Sequence, residues 1–201
     1  SLATLYQRTI LKDSRDPVGV YIVNGLIAGL MLLAFGLYHG FQIPDFSKIS
    51  LNLILMSVLI GTGNILIFRG LKKIEASEYT VLFSSRAIWS VLAAIVFLHE
   101  TFTPKQILGA ILIIASVVIV SWKKKTLRLS EGEMLTLAAS FFVGLAFIND
   151  TYLLNKVDLF FYLPLVFILP AVFAAIINYK KLFKISKVLT WKLTLKTSLL
   201  S

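Results

Sequence analysis

Six long apolar runs, separated by short links that hold nearly all the charge, constrain this chain more than any other feature. They are Val18–Tyr38, Leu51–Phe68, Tyr79–Leu98, Ile107–Trp122, Met134–Leu154 and Leu159–Tyr179. A bilayer core about 30 Å thick takes roughly 20 helical residues to cross. A helix on a soluble domain keeps a polar face, and Ile107–Val120 has almost no polar residue on any face. The six runs therefore predict an all-α, polytopic transmembrane bundle.

Charge supports that reading through its placement. Charged residues are 15% of the chain and apolar ones 58%, against about 25% charged in an ordinary soluble domain. The net charge of +10 alone would suit a nucleic-acid binder. Yet 19 of the 20 Lys and Arg lie in links, near span ends or in the terminal segments. Lipid headgroups and the positive-inside bias explain such placement, so the bilayer is the expected partner and nucleic acid is not. Cysteine is absent, which excludes disulfides and thiolate metal sites. Ser1–Leu11 is too short and too polar for a secretory signal. Val188–Ser201 reads as the beginning of a further span, and the chain as a fragment cut at both ends.

Labelling the links alternately by membrane side separates the cations. One side collects Arg8, Lys12, Arg15, Arg69, Lys72, Lys73, Lys123, Lys124, Lys125, Arg128, Lys180, Lys181, Lys184, Lys187, Lys192 and Lys196. The other has only Lys48, Lys105 and Lys156. The basic side, with links 69–78, 123–132 and 180–187, is expected to be cytoplasmic in a multi-pass cell-membrane protein.

Two echoes hint at duplication. Ala3-Thr4-Leu5 through Leu11 resembles Ala146-Phe147-Ile148 through Leu154, 143 residues later, and Phe46-Ser47-Lys48-Ile49 resembles Ile185-Ser186-Lys187-Val188, 139 residues later. Five spans, an odd number, separate equivalent points, so the copies would face opposite ways. Inverted repeats of that kind hold a solute near the midplane and rock between two access states.

The sharpest local pattern joins the third and fourth runs: His99-Glu100-Thr101-Phe102-Thr103-Pro104-Lys105-Gln106-Ile107-Leu108-Gly109. Thr103 suits an N-cap, Pro104 the first helical position and Gln106 the third position of a capping box. The expected result is a tight helical hairpin, with Gly109 allowing close approach to the preceding span.

Glu100, Gln106 and Gly109, between two apolar spans, resemble the closing hinge of a repeat in the EamA family of the drug/metabolite transporter superfamily. Gly70-Leu71 with Ala76 and Tyr79 is similar to the family's approach to the fourth helix of that repeat. Glu131-Gly132-Glu133 before Met134–Ala146 is similar to the start of its second repeat. The resemblance covers essentially the whole chain through loose motifs. It implies two inverted five-helix repeats, here 1–122, truncated at its N-terminus, and 130–201, truncated at its C-terminus. It also implies a carrier of amino acids, metabolites or drugs, driven by a proton or by exchange and exporting more often than importing. Two departures stand out. Many members have a Pro where this chain has Ala87, preceded by Arg86, which predicts a straighter third span and an unusual substrate. The family's usual orientation, with both termini cytoplasmic, would also place the basic links outside, against the charge count.

Arg86 is the one cation well inside a run, roughly 10 Å deep at 1.5 Å per residue. An Arg at a span centre costs about 2.5–3.5 kcal/mol on insertion scales, so it needs a wet cavity or a partner. It either faces a central cavity and binds a carboxylate or phosphate, or it snorkels to the interface or pairs with a carboxylate such as Asp150. Trp89, one turn on, could stack a planar solute beside it; packing against lipid or protein is the commoner use of such a Trp. Asn24, Asn64 and Asn149 either line a pathway or hydrogen-bond between helices. Asp150 is a candidate for proton coupling, and interfacial exposure is its alternative. Asn149-Asp150-Thr151 fits a glycosylation sequon that has no meaning this deep in a span. Gly25 and Gly29, and likewise Gly61-Thr62-Gly63, read as packing.

Catalytic chemistry is not indicated. His39 and His99 sit at run ends without metal-ligand neighbours, and no nucleophile elbow or phosphate-cradling loop is present. The expectation is a secondary transporter of a small organic solute, with no cofactor and no metal. Its solute-binding set is Arg86, Trp89, Asn24, Asn64 and Tyr79, with Asp150 as coupling group. A non-transporting membrane subunit or sensor is the alternative, ahead of an intramembrane lipid-modifying enzyme.

Overall fold

A computed structural model describes residues 16–98, 103–122 and 129–179. All regular structure among them is helical: α1 Pro17–His39, α2 Phe46–Lys73, α3 Ala76–Phe83, α4 Arg86–Leu98, α5 Pro104–Trp122, α6 Glu131–Leu154 and α7 Leu159–Ile177. Five stretches are long and apolar enough to cross a bilayer, namely α1, α2, Ala76–Phe97, α6 and α7. The fourth predicted run, Ile107–Trp122, forms the 19-residue α5. Arg8–Arg15, His99, Glu100, the basic clusters at 123–128 and 180–196, the Ser186 echo and Val188–Ser201 lie outside the described residues.

The starts of α1, α2, α5, α6 and α7 are set by short polar side chains answering orphan backbone donors. An Asp16 carboxylate oxygen accepts from the N–H of Val18 and Gly19 at 3.1 and 3.2 Å, with Pro17 in the first turn. Hydrogen bonds from Ser47 and Lys48 hold the Asp45 carboxyl below its ordinary pKa as it caps α2. Ser130 and Glu133 form a capping box for α6, and Asp158 accepts from Phe160 N–H at 2.8 Å. The predicted cap at the hinge is also formed. Gln106 Oε1 accepts from Thr103 N–H at 2.8 Å, and Thr103 Oγ1 accepts from Gln106 N–H at 3.4 Å.

α2 and α6 run antiparallel along most of their length at the centre of the bundle. α1 lies antiparallel on α7, α7 also borders α2, and α3 and α4 lie against α6. α5 touches only α3 and α4 among its larger contacts, and most of its described side chains are exposed. Two apolar clusters fill the bundle. One includes Val18, Tyr21, Phe68, Leu71, Tyr79 and Ala174 near the basic end. The other joins Ile49, Leu53, Met56, Leu153, Val157 and Tyr162 at the opposite end.

Lipid chains are as apolar as Leu, so helices in a bilayer associate through close packing and hydrogen bonds. The predicted packing glycines fill that role. A Cβ on Gly25 would lie 3.0 Å from Ala171 Cβ, and one on Gly29 would lie 2.4 Å from Ile168 Cγ1, both on α7. Gly61 abuts Phe173 of α7, whereas Gly63 abuts Val143 of α6, so two glycines in three residues serve two different neighbours. On α6, Gly144 admits the start of α4, where a Cβ would come within 2.5 Å of Trp89 Cβ and 2.7 Å of Arg86 O. Gly109 departs from expectation. A Cβ there meets nothing within 4 Å, so this glycine marks no close helix approach.

Polar side chains clamp the same pair. Asn52 Nδ2 donates to Asn149 Oδ1 at 2.8 Å, and Asn149 Nδ2 donates to the Asn52 carbonyl at 3.0 Å. At the other end of the two helices Lys73 pairs with Glu131. α7 carries the buried prolines Pro164 and Pro170. The Phe160 carbonyl, which has no N–H donor at Pro164, faces Gly36 of α1, where a Cβ would lie 2.7 Å from that oxygen.

The third run is not one straight helix. Lacking a Pro near position 87, it was expected to be straighter, but it breaks between α3 and α4 at Ser84–Ser85. Ser84 Oγ donates to Val81 O at 2.6 Å and Ser85 Oγ to Leu82 O at 2.7 Å. The backbone donors of Ser85, Ala87 and Ile88 reach carbonyls three residues back, a locally tightened turn. Adjacent serines that bond their own helix are a recognised cause of such kinks.

Three stability differences should follow. Gly144→Ala is expected to lower stability by about 1–3 kcal/mol because Trp89 Cβ and a backbone carbonyl stand in the way, while Gly109→Ala should raise it by up to about 1 kcal/mol. Asn149→Leu, which leaves the Asn52 amide without its acceptor, should cost about 1–2 kcal/mol. Thermal unfolding of the detergent-solubilised protein measures all three.

Candidate solute site

Arg86 opens α4, directly after the serine turn. Its guanidinium carbon lies over the Phe83 ring at 4.7 Å from the centroid and over the Phe147 ring at 5.6 Å. A cation on an aromatic face gains about 0.5–2 kcal/mol according to how dry it is, which offsets part of its cost within a span. The side chain is otherwise exposed and makes no hydrogen bond or ion pair with another described residue. The structural pair of Arg86 with Asp150 is not made.

Tyr79 is buried and stacks on Phe83, with centroids 5.3 Å apart and planes at 14°. Tyr79, Phe83 and Arg86 thus form a ladder along one side of the broken span, spaced by four and three residues. Tyr79 shares the basic-end cluster with Tyr21 of α1. The Asn64 amide of α2 reaches the Tyr21 hydroxyl at 3.5 Å, a long contact, and Asn24 is buried one turn further along α1. Trp89 faces elsewhere: it meets Phe141 of α6 edge-on at 5.1 Å and backs onto Gly144. The rings at the guanidinium are therefore Phe83 and Phe147.

Asp150 stands three residues beyond Phe147 on α6. Tyr162 of α7 hydrogen-bonds its carboxylate, and its Oδ1 is buried without a hydrogen-bond partner. The neighbouring Asn149 is committed to Asn52, in keeping with a packing role and not with a glycan acceptor. Between the α1–α2 and α6–α7 links lies a shallow cleft of about 300 Å³, lined by residues that include Gln42, Pro44, Lys156 and Asp158.

Of the predicted set, Arg86 and Tyr79 are joined through Phe83, and Asn64 and Asn24 sit by Tyr21 on the facing helices. Trp89, one turn beyond Arg86, faces Phe141, and Asp150, under one turn beyond Phe147, faces Tyr162. Phe147, Tyr21, Asn52 and Tyr162 escaped the sequence reading. The phenylalanine carries no signal within an apolar run, but Asn52 is a polar residue in a span and was open to the reasoning applied to Asn149. Among the described residues no three His, Cys, Asp or Glu cluster as metal ligands would.

Residues 1–122 match the EamA-like transporter family. The chain is also 32% identical over 108 residues to an uncharacterized protein of Methanocaldococcus jannaschii, MJ1333.1, an alignment covering 53% of this chain and 78% of that protein. With membrane-length helices throughout and a family match over more than half its length, this chain is a multi-pass membrane protein that belongs to the EamA-like transporter family.

Proposed function

We propose that the protein is a secondary transporter that moves a small organic solute across the cell membrane by alternating access, in the direction of export. The observation that carries this reading is the pairing of α1 with α7. Asp16 caps α1 and Asp158 caps α7, at positions 142 residues apart. That spacing falls within the 139–143 residues of the two sequence echoes. The two helices enter from opposite faces and pack antiparallel through Gly25 and Gly29. Such pairing is what an inverted repeat with 1–122 and 130–201 as its halves would produce, and rocking of one half on the other would exchange access.

In this reading the basic face, with Lys72, Lys73 and the Lys73–Glu131 pair, is cytoplasmic. Arg86, Tyr79, Asn24 and Asn64 line the solute path, and Trp89 braces α4 against α6. Asp150 is the coupling group: a carboxylate with one oxygen on Tyr162 and one buried oxygen unengaged can take up and release a proton as the helices move.

Three measurements test the proposal. Amino acids, nucleotide-sugars, organic phosphates and cationic drugs would be screened for thermal stabilisation of the purified protein. One class is expected to stabilise it and to show counterflow in proteoliposomes. A ligand that binds without crossing would instead assign the chain to a sensor or subunit. Asp150→Asn should abolish proton-driven accumulation and spare counterflow, and equal loss of both would remove Asp150 from coupling. Because the chain has no cysteine, single replacements report sidedness cleanly. Gln42→Cys should react with an impermeant maleimide in intact cells and Glu75→Cys only after permeabilisation.

A further inference from the structure

Arg86 presents a charge inside a span with its faces and its edges in different surroundings. Phe83 and Phe147 lie against the guanidinium. They stabilise the positive charge but accept none of its five N–H donors. No hydroxyl of the adjacent serine turn hydrogen-bonds to the guanidinium. Ser84 and Ser85 hydroxyls are turned to Val81 and Leu82 carbonyls, and Ser85 also shares a 2.7 Å hydrogen bond with Ser140 of α6. The Arg86 carbonyl itself faces Gly144. Among the described residues no carboxylate lies within ion-pair distance of Arg86.

An unpaired cation at this depth is costly, and its rigid fork of donors matches a planar, two-oxygen acceptor. We infer that the Arg86 guanidinium, braced by Phe83 and Phe147, is a binding site for the carboxylate of an organic anion. This deepens the transport reading and rests on it. A carboxylate sets both oxygens on the fork in one plane, giving two short charge-assisted hydrogen bonds. A phosphate would bring further charged oxygens against phenyl rings that offer no donor, at a desolvation cost. Phe147 comes from α6 and Phe83 from α3, so the site spans two helices on either side of the serine turn. A solute held there would bridge the broken span to the bundle centre.

The test measures thermal stabilisation of the full chain in phosphatidylcholine nanodiscs. The probes are benzoate, succinate, the corresponding amides benzamide and succinamide, and inorganic phosphate. The carboxylates are expected to stabilise the wild type, with the amides and phosphate far weaker. Arg86→Gln should abolish the effect. Arg86→Lys, which keeps the charge and loses the fork, should weaken binding by about tenfold or more. Phe147→Leu, which keeps the guanidinium and removes one ring, guards against a folding defect in the arginine variants and should weaken binding by about two- to fivefold. Equal stabilisation by carboxylate and amide, or carboxylate binding retained in Arg86→Gln, would overturn the site. A different solute class that stabilises wild type and Arg86→Gln alike would overturn it too, while leaving the transporter reading intact. Adding phosphatidylglycerol to the nanodiscs distinguishes the other source of an anion. If that lipid stabilises through Arg86 and succinate does not compete, the guanidinium holds a headgroup and the inference fails.

Discussion

Backbone contact at glycine is the interaction on which the rest of this bundle depends. Inside a bilayer the burial of Leu against Leu does little that lipid would not do, and association rests on how closely two helices can approach. α6 shows the consequence. It receives α2 at Gly63, and its own Gly144 receives the start of α4. Two further close contacts, Gly25 and Gly29 against α7, hold α1 in place. Since α6 borders α2, α3, α4 and α7, the positions of Arg86, Asn52 and Tyr162 all follow from its packing.

Much of the fold was legible because the bilayer imposes one rule on every span. Apolar length located all six runs. Boundaries were less legible. α2 extends from Phe46 to Lys73, beyond the apolar run at both ends, because Ser47, Lys48, Arg69 and Lys72 continue the backbone ladder into the polar interface. The hinge cap was readable in full, since Thr103, Pro104 and Gln106 act within one turn. Gly109 was misread because its use depends on where a whole neighbouring helix lies, which no local spacing encodes.

The site was legible in its charge and obscure in its surroundings. Arg86 stands out in any apolar run, as does Asp150. The rings that meet the guanidinium are a matter of tertiary register, and Phe147 is one apolar residue among many in α6. The serine turn was hidden for a related reason. Ser84 and Ser85 are neutral in a count of apolar length, and only the choice of their hydroxyls for carbonyls three residues back converts them into a break. That break brings the cation to the start of α4.

The two prolines of α7 have a mechanical consequence. An unbroken helix resists bending because curvature stretches hydrogen bonds on its outer side. In α7 the carbonyls of Phe160 and Val166 already lack a donor four residues on, since Pro164 and Pro170 stand there. Curvature at those two points therefore stretches bonds that do not exist, and α7 is the compliant member beside a stiffer α2. Its contacts at these points are with Gly36 and Gly61, which present no side chain to obstruct a small change of angle. Of the three helices that contribute to both apolar clusters, α7 is thus the one whose shape costs least to alter.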